Sequence, residues 1–588
     1  MRVLLTTLNS KFIHSNLALR YLQEACPAEE TLLEEYTIND RLEVIAGEIY
    51  KSCADVIGFS CYIWNITQTL ELVGILRQVA PRTVIILGGP EVSYDPAAYL
   101  APSMGVDYVV FGEGEETFRE LIALLETGPR QNLKQWRDAA GLAEIKGLAF
   151  STAAAPTVNA ARELIKDLAQ IASPYITTAG LEHKIAYVES SRGCPFNCQY
   201  CLSSTLAGVR FFPWERTKAE LQKLVAAGVK QIKFVDRTFN CNQGHALKVM
   251  RYLAEWHPAV NFHFEISADL LDETMLEFLQ QVPSGLFQFE VGVQSTNLTS
   301  LDLISRRTDL AKLAANVKAV RAGGRVRQFL DLIAGLPGED YRSFANSFNE
   351  VFSWQPDKIQ LGFLKLLKGS GMRSKAADWD YRFAAAPPYQ VLQNSWLSYA
   401  ELLRLQGIED MVDKFFNSGR FKHTLAYLIN MFGGDAFALF EALGTYWEEN
   451  GYHRQAQNAR KLYELLAEFF RERMRLEETE FTELLKLDYL LWEKPTQVPT
   501  WFNSPSIPCF RERVETFFRE GLLQLMPQLK PLSRRELHRY FHLEPFSPCL
   551  AAYLNLPLLS EEEPLYLLFY YPGALIKAER PGYIPVAL

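Results

Sequence analysis

Three cysteines fall within eight residues in Ser190-Ser191-Arg192-Gly193-Cys194-Pro195-Phe196-Asn197-Cys198-Gln199-Tyr200-Cys201, at C-x3-C-x2-C spacing. The stretch follows a β-like run, Ile185-Ala186-Tyr187-Val188-Glu189, and Gly193 and Pro195 interrupt it, so it reads as a loop past a strand. Three thiols on one loop can converge on a single metal centre. A closed structural zinc site needs a fourth ligand and none lies nearby in the sequence, so an iron–sulfur cluster suits them better. A zinc loop and unligated cysteines are the plainer alternatives. A [4Fe–4S] cubane held by three thiolates keeps one iron open to an outside ligand.

Such a cluster needs a scaffold that presents a ligand to the open iron. Downstream, strand and helix patterns repeat at β/α spacing. Strands are expected at Gln231 to Val235, Asn261 to Ile266, Leu286 to Val293, Phe329 to Ile333 and Lys358 to Leu364, which with the run at Ile185 makes six. Polar residues collect at their carboxyl ends: Asp236-Arg237-Thr238-Phe239, Glu265 with Ser267, Glu290 to Ser295, and Asp331 to Glu339.

Upstream, residues 1–130 alternate β-branched runs with amphipathic helical patterns, the mark of a doubly wound parallel sheet. Strands are expected at Val3 to Thr7, Leu32 to Tyr36, Val56 to Cys61, Thr83 to Leu87 and Tyr108 to Phe111, with helices at Ser15 to Cys26 and Thr67 to Val79. Ligands of such sheets bind past the carboxyl ends of the strands. Those ends carry Ser60-Cys61-Tyr62-Ile63-Trp64-Asn65, Gly88-Gly89-Pro90-Glu91 and Gly112-Glu113-Gly114-Glu115. Glycine pairs let a flat ligand approach the backbone closely, and a generic flavodoxin-like sheet with tight turns has the same pattern.

The cluster loop, with Tyr200 as the aromatic of C-x3-C-x-aromatic-C, resembles the radical S-adenosylmethionine (SAM) superfamily. Together with G-G-P and G-E-G-E at the upstream strand ends, the chain resembles that superfamily's class B, cobalamin-binding enzymes. The resemblance implies an α/β chain: a Rossmann-like cobalamin-binding sheet (1–130), a connection read as a strap (131–184), a partial (β/α)6 TIM-like barrel (185–370) and a mainly α C-terminal extension (371–588). It implies a [4Fe–4S] cluster on Cys194, Cys198 and Cys201, whose open iron chelates the amino and carboxylate groups of SAM. The superfamily uses that cluster to cleave SAM to a 5′-deoxyadenosyl radical. Tyr200, Asp236, Glu265, Ser267, Glu290, Gln294, Arg306 and Gly335 are the expected SAM contacts, with Arg306 or Arg307 pairing its carboxylate. Ser60, Tyr62, Trp64, Gly88, Gly89, Glu91, Gly112, Glu113 and Gly114 are the expected cobalamin contacts. His14 has Phe12 and Leu17 where the cobalt-ligating motif D-x-H-x-x-G needs Asp and Gly, so base-off cobalamin without a histidine ligand is implied.

By resemblance the activity is methylation of an unactivated carbon through methylcobalamin and the adenosyl radical, fed by an electron donor such as flavodoxin or ferredoxin. A cyclase or rearrangement enzyme, a methylthiotransferase and a non-enzymatic cobalamin sensor remain as alternatives. Composition is that of an ordinary globular protein, 48% hydrophobic and 22% charged. A net charge of −9 argues against a nucleic-acid backbone as the main partner, and no apolar run reaches a membrane span. Nine cysteines without regular spacing outside the loop point to a reducing, cytoplasmic setting. Cys241 can face the cavity or pack as a small residue. The C-terminal third reads as helical, including a stretch from Tyr389 to Leu405, and announces no chemistry; a strand is expected at Tyr566 to Tyr571.

Overall fold

The computed structural model describes residues 1–129, 139–151, 155–206, 208–474, 479–495, 499, 501–502, 507–526, 533–556, 564–572 and 581–588. They form two compact units, Met1–Leu402 and Leu403–Leu588. These units divide between Leu402 and Leu403, beyond the expected domain boundary at 371. Residues 371–402 stay with the first unit because Val391 N donates to Leu364 O at 2.9 Å and Leu366 N to Tyr389 O at 3.0 Å, extending the last barrel strand. For the same reason the stretch from Tyr389 is not helical at once: Val391–Gln393 is a strand and the helix begins at Tyr399.

The amino-terminal sheet contains β1 (Arg2–Asn9), β2 (Glu30–Thr37), β3 (Val56–Ser60), β4 (Val84–Gly88), β5 (Tyr108–Val110), β6 (Leu148–Ser151) and β7 (Pro156–Val158), in the order β2-β1-β3-β4-β5-β6-β7. The first five are parallel, and β6 and β7 add antiparallel at one edge. The connection thus extends the sheet rather than merely strapping two domains. Alternate residues of β1 face opposite layers. Leu4 and Leu8 pack with Ile45, Ile49 and Leu72, while Val3 and Leu5 pack with Leu19, Phe118 and Leu121. Helices therefore cover both faces, as a doubly wound sheet requires. The first helix, Leu17–Ala25, is capped by Asn16, whose side chain accepts from Leu19 N at 2.9 Å. Ser15, where the helix was expected to begin, donates to Ile185 O at 2.8 Å.

The barrel is a six-stranded parallel sheet. Its strands are β8 (Ile185–Val188), β11 (Gln231–Phe234), β12 (Asn261–Ile266), β13 (Phe287–Gln294), β14 (Arg327–Ala334) and β15 (Lys358–Phe363), in the order β15-β14-β13-β12-β11-β8. A small antiparallel pair, β9 (Ser191–Gly193) and β10 (Val209–Phe211), flanks the cysteine loop. Outward residues such as Phe234, Phe262, Phe264, Phe287 and Phe289 are fully buried, so each contributes about 1.5–3 kcal/mol of hydrophobic stabilisation. The inward positions of β11 to β13 are polar. By itself, the second unit is helical with a three-stranded antiparallel sheet, Phe541–Phe546, Leu565–Tyr570 and Gly582–Val586, which holds the strand expected at Tyr566. Among the described residues no helix is long and apolar enough to cross a membrane.

Candidate functional site

Two cavities open at the carboxyl ends of these strands, and Ser203 and Arg237 line both. The smaller, about 190 Å³, is lined by Cys194, Cys198 and Cys201 together with strand-end residues of β12 and β13. The larger, about 910 Å³, lies between the amino-terminal sheet and the barrel.

In the smaller cavity the three thiols share one wall, which fits a cluster held on three corners with its fourth facing the barrel. Burial pushes the Cys198 thiol up, and Arg306, whose Nη1 lies 3.8 Å from Cys198 Sγ, pulls it back down. Arg306 also donates to Tyr200 Oη at 3.2 Å and to Gly292 O, while its Nε is buried without a partner. Gln294 sits just past a register shift in the β13–β14 pairing, at φ +73°, an unusual conformation for a non-glycine residue. Gln294 lines the cavity, and its Oε1 is buried and has no hydrogen bond. Backbone strain of this kind clusters at ligand sites, and an orphaned acceptor in a polar cavity is what a bound amine or hydroxyl would satisfy.

Tyr200, Glu265, Ser267, Glu290, Gln294 and Arg306 all line this cavity, with Arg307 beside them. Asp236 and Gly335 do not. The Asp236 carboxylate is buried beneath the loop and accepts from Ser190 N at 2.9 Å, Ser190 Oγ at 2.7 Å and Ser191 Oγ at 2.5 Å; burial pushes it up to about 6. It anchors the start of the cysteine loop. Gly335 O accepts from Tyr381 Oη at 2.8 Å and Asn394 Nδ2 at 3.0 Å, tying β14 to the segment after the barrel. Cys241 is half-buried and lines neither cavity.

Sequence reasoning missed the charge network below the cavity. Lys233 Nζ lies 2.9 Å from Glu290 and 3.4 Å from Glu265, and His263 Nε2 is 2.8 Å from Glu290. Against its burial, His263 and Lys233 hold the Glu290 carboxyl well below the usual range. Asp331, which accepts from Gln360 Nε2 at 2.6 Å, is pushed up to about 8 by burial and by Glu290. The period of two in Lys233-x-Val235-x-Arg237 and His263-x-Glu265-x-Ser267 was the available signal.

In the larger cavity, Ser60, Tyr62, Trp64, Gly88, Gly89, Gly112, Glu113 and Gly114 line the wall from the first sheet. Asn65, fully buried, donates to Thr7 Oγ1, Leu8 O and Ser60 O and accepts from Tyr62 N at 2.7 Å, so it fixes the loop that carries Tyr62 and Trp64. Those two rings stack at 4.3 Å between centroids. Gly89 is at φ +110°, and a Cβ there would lie 2.5 Å from Cys61 O, so the turn requires glycine. Glu91 does not reach the cavity. It is buried against Tyr99 Oη at 3.2 Å, Tyr389 Oη and Lys368 Nζ at 3.4 Å. His14 lines the cavity with Nδ1 2.6 Å from Tyr187 Oη, and burial pushes its pKa down.

Arg192 joins the two sides. It donates to Glu115 at 2.6 Å and Glu189 at 2.8 Å and lies 3.5 Å from Glu113, while Arg210, opposite it in the β9–β10 pair, holds Glu113 at 2.8 Å. Glu113 and Glu115 flank the start of the helix Gly114–Glu126, so the G-E-G-E motif is clamped to the cysteine loop two residues before Cys194.

Residues 3–122 match the B12 binding domain, residues 188–351 the radical SAM superfamily, and residues 377–569 a family described as protein of unknown function (DUF4080). The first two matches, in this order, give the chain a B12 binding domain followed by a radical SAM domain, the arrangement of the class B enzymes it resembles. It is 26% identical over 329 residues to 2-(S-pantetheinyl)-carbapenam-3-carboxylate methyltransferase of Streptantibioticus cattleyicolor, covering 50% of this chain and 44% of that protein. It is 23% identical over 334 residues to the anaerobic magnesium-protoporphyrin IX monomethyl ester cyclase of Cereibacter sphaeroides, covering 54% and 52%. The chain spans about half the length of these curated relatives. The solved structure of the cobalamin-dependent SAM radical enzyme OxsB, with aqua-cobalamin and SAM bound, shares the fold at TM-score 0.56 and 15% identity, covering 89% of this chain and 81% of that one.

Proposed function

We propose that this chain is a cobalamin-dependent radical SAM methyltransferase acting on an unactivated carbon. The observation that carries the reading is the meeting of a thiol-lined and a glycine-lined cavity at Ser203 and Arg237. Cys194, Cys198 and Cys201 would hold the cluster; Gln294 and Arg306 would meet SAM; Ser60, the glycine turns and Glu113 would cradle the corrin. When bound, the cluster supplies the electron that splits SAM and the corrin cobalt supplies a methyl group to the substrate carbon. The chain's own part is to hold both reactants across one short gap and keep bulk water out of it.

Base-off binding is part of the reading. His14 is engaged by Tyr187 at 2.6 Å and its neighbour Ser15 is tied to β8, which leaves the stacked Tyr62–Trp64 pair to face the corrin. The open iron needs a low-potential donor such as flavodoxin or ferredoxin, and the cytoplasm supplies one. Ring closure without methyl transfer is the second reading, favoured by the likeness to the cyclase. Anaerobic reconstitution with cobalamin, reductant and SAM tests both. About four irons per chain, 5′-deoxyadenosine and S-adenosylhomocysteine are expected, with Cys198→Ala losing the iron and the 5′-deoxyadenosine but keeping cobalamin. Eight irons would point to a methylthiotransferase. A substrate product without an added CH2 would favour the cyclase, and no S-adenosylhomocysteine would end the methylation reading.

A further inference from the structure

The carboxylates around the two cavities are accounted for. In the smaller cavity Glu265 and Glu290 share Lys233, and Asp331 accepts from Gln360. In the larger, Glu113, Glu115 and Glu189 share Arg192 and Arg210. One cation at their junction is not. Arg237, two residues past Val235 on the same side of the chain, is exposed, lines both cavities and, among the described residues, has neither a hydrogen-bond nor an ion-pair partner for its guanidinium. Its charge acts on the Tyr62 phenol across the larger cavity, which places it toward the aromatic wall of that space.

A guanidinium is a rigid fork that matches carboxylate and phosphate oxygens two at a time. The carboxylate of SAM has other cations closer to the thiols: Arg306, 3.8 Å from Cys198 Sγ, and Arg307, which lines the smaller cavity and also a groove on the outer side of the cysteine loop. We propose that Arg237 anchors the substrate, through a carboxylate or phosphate group, in the gap between the two cofactors. The substrate of this enzyme is then an anion, oriented so that one carbon lies between SAM and the corrin face. This rests on the function proposed above.

The test uses the reconstituted holoenzyme in the cob(II)alamin state and titrates it with acetate and with inorganic phosphate, with chloride as the ionic-strength control, following the cobalt EPR spectrum. A saturable change with one of the two oxyanions, absent with chloride, is expected, and which ion acts tells carboxylate from phosphate. In Arg237→Gln the apparent affinity should fall roughly ten- to a hundredfold, the loss of a charge-assisted pair. Arg237→Lys, which keeps the charge but not the fork, should fall between the two. An equal response in Arg237→Gln, or none to either oxyanion in wild type, overturns the proposal. So does weakened binding of SAM or cobalamin by Arg237→Gln, which would make Arg237 a cofactor contact. A wild-type holoenzyme that retains no cobalamin removes the underlying reading and the proposal together, whereas retained cobalamin without an anion response removes the proposal alone.

Discussion

Replacing Arg192 by leucine removes the cation that ties the cysteine loop to the corrin-side motif. The Arg192 side chain is 12% exposed and its partners Glu113, Glu115 and Glu189 are 11%, 10% and 18% exposed, so solvent screens the pairs weakly. Glu113 keeps Arg210, while Glu115 and Glu189 lose the cation that, among the described residues, forms an ion pair with each of them. Stranding a buried charge in this way costs about 3–5 kcal/mol. Burial already pushes the Glu189 carboxyl up with Arg192 in place, so in the variant it takes up a proton and the cost settles near the lower end, about 3 kcal/mol. Unfolding entropy of about 2.1 cal/mol/K per residue over the 402 residues of the first unit converts this to a Tm loss of roughly 4 °C. The pH dependence has a definite sign. A carboxyl whose folded pKa is raised adds stability at low pH and loses it as pH rises through that pKa, and the rise is larger without Arg192. The gap between wild type and Arg192→Leu should therefore widen from pH 5.5 to pH 8. Scanning calorimetry at the two values measures it, and a constant gap, or one that narrows, would show that the buried charges are not what Arg192 holds. Cobalamin and iron content should fall together in this variant, because one side chain braces both walls.

Two further outcomes follow from the smaller cavity. Gly292→Ala puts a methyl group 2.3 Å from Gln294 Nε2, so that amide must shift, whereas Arg306 Nη2 at 3.5 Å stays in ordinary contact; with Gln294 meeting SAM as proposed, SAM affinity, read by equilibrium dialysis, should fall about tenfold while cobalamin binding holds. Asp331, raised to about 8, stabilises the folded chain below the ordinary carboxylate range and loses that contribution as pH climbs toward 8. Asp331→Asn should accordingly match wild type in Tm near pH 5 and exceed it near pH 8.5; equal values at both would show a carboxyl already ionised and hydrated.

The architecture was legible because it rests on periodicity. The apolar run of β1 and the six β/α repeats of the barrel survive in any reading of the chain, and turn chemistry put the glycine motifs at strand ends. The edge strands β6 and β7 were not read as part of the sheet, since strands of four and three residues carry almost no pattern. The start of the helix after the barrel was misplaced for a related cause: apolar residues from Tyr389 to Leu405 suit a helix, but backbone pairing of Leu364 with Val391 captures the first of them as a strand.

The site was legible in its residue types and less so in their division of labour. Asp236 and Glu91 stand next to the right motifs, and sequence position alone made them ligand contacts; burial converts both into braces, one under Ser190 and Ser191, the other under Tyr99 and Tyr389. An unpaired cation is the reverse case. Arg237 and Arg192 are alike on paper, each at a strand end close to a cysteine, and only the inventory of partners separates them. Three carboxylates surround Arg192, which makes it structural, and none pairs with Arg237, which leaves its charge available to whatever enters between the cavities. If Arg237 anchors the substrate as proposed, reversing its charge, as in Arg237→Glu, should turn the anion response off while leaving the clamp around Arg192 intact.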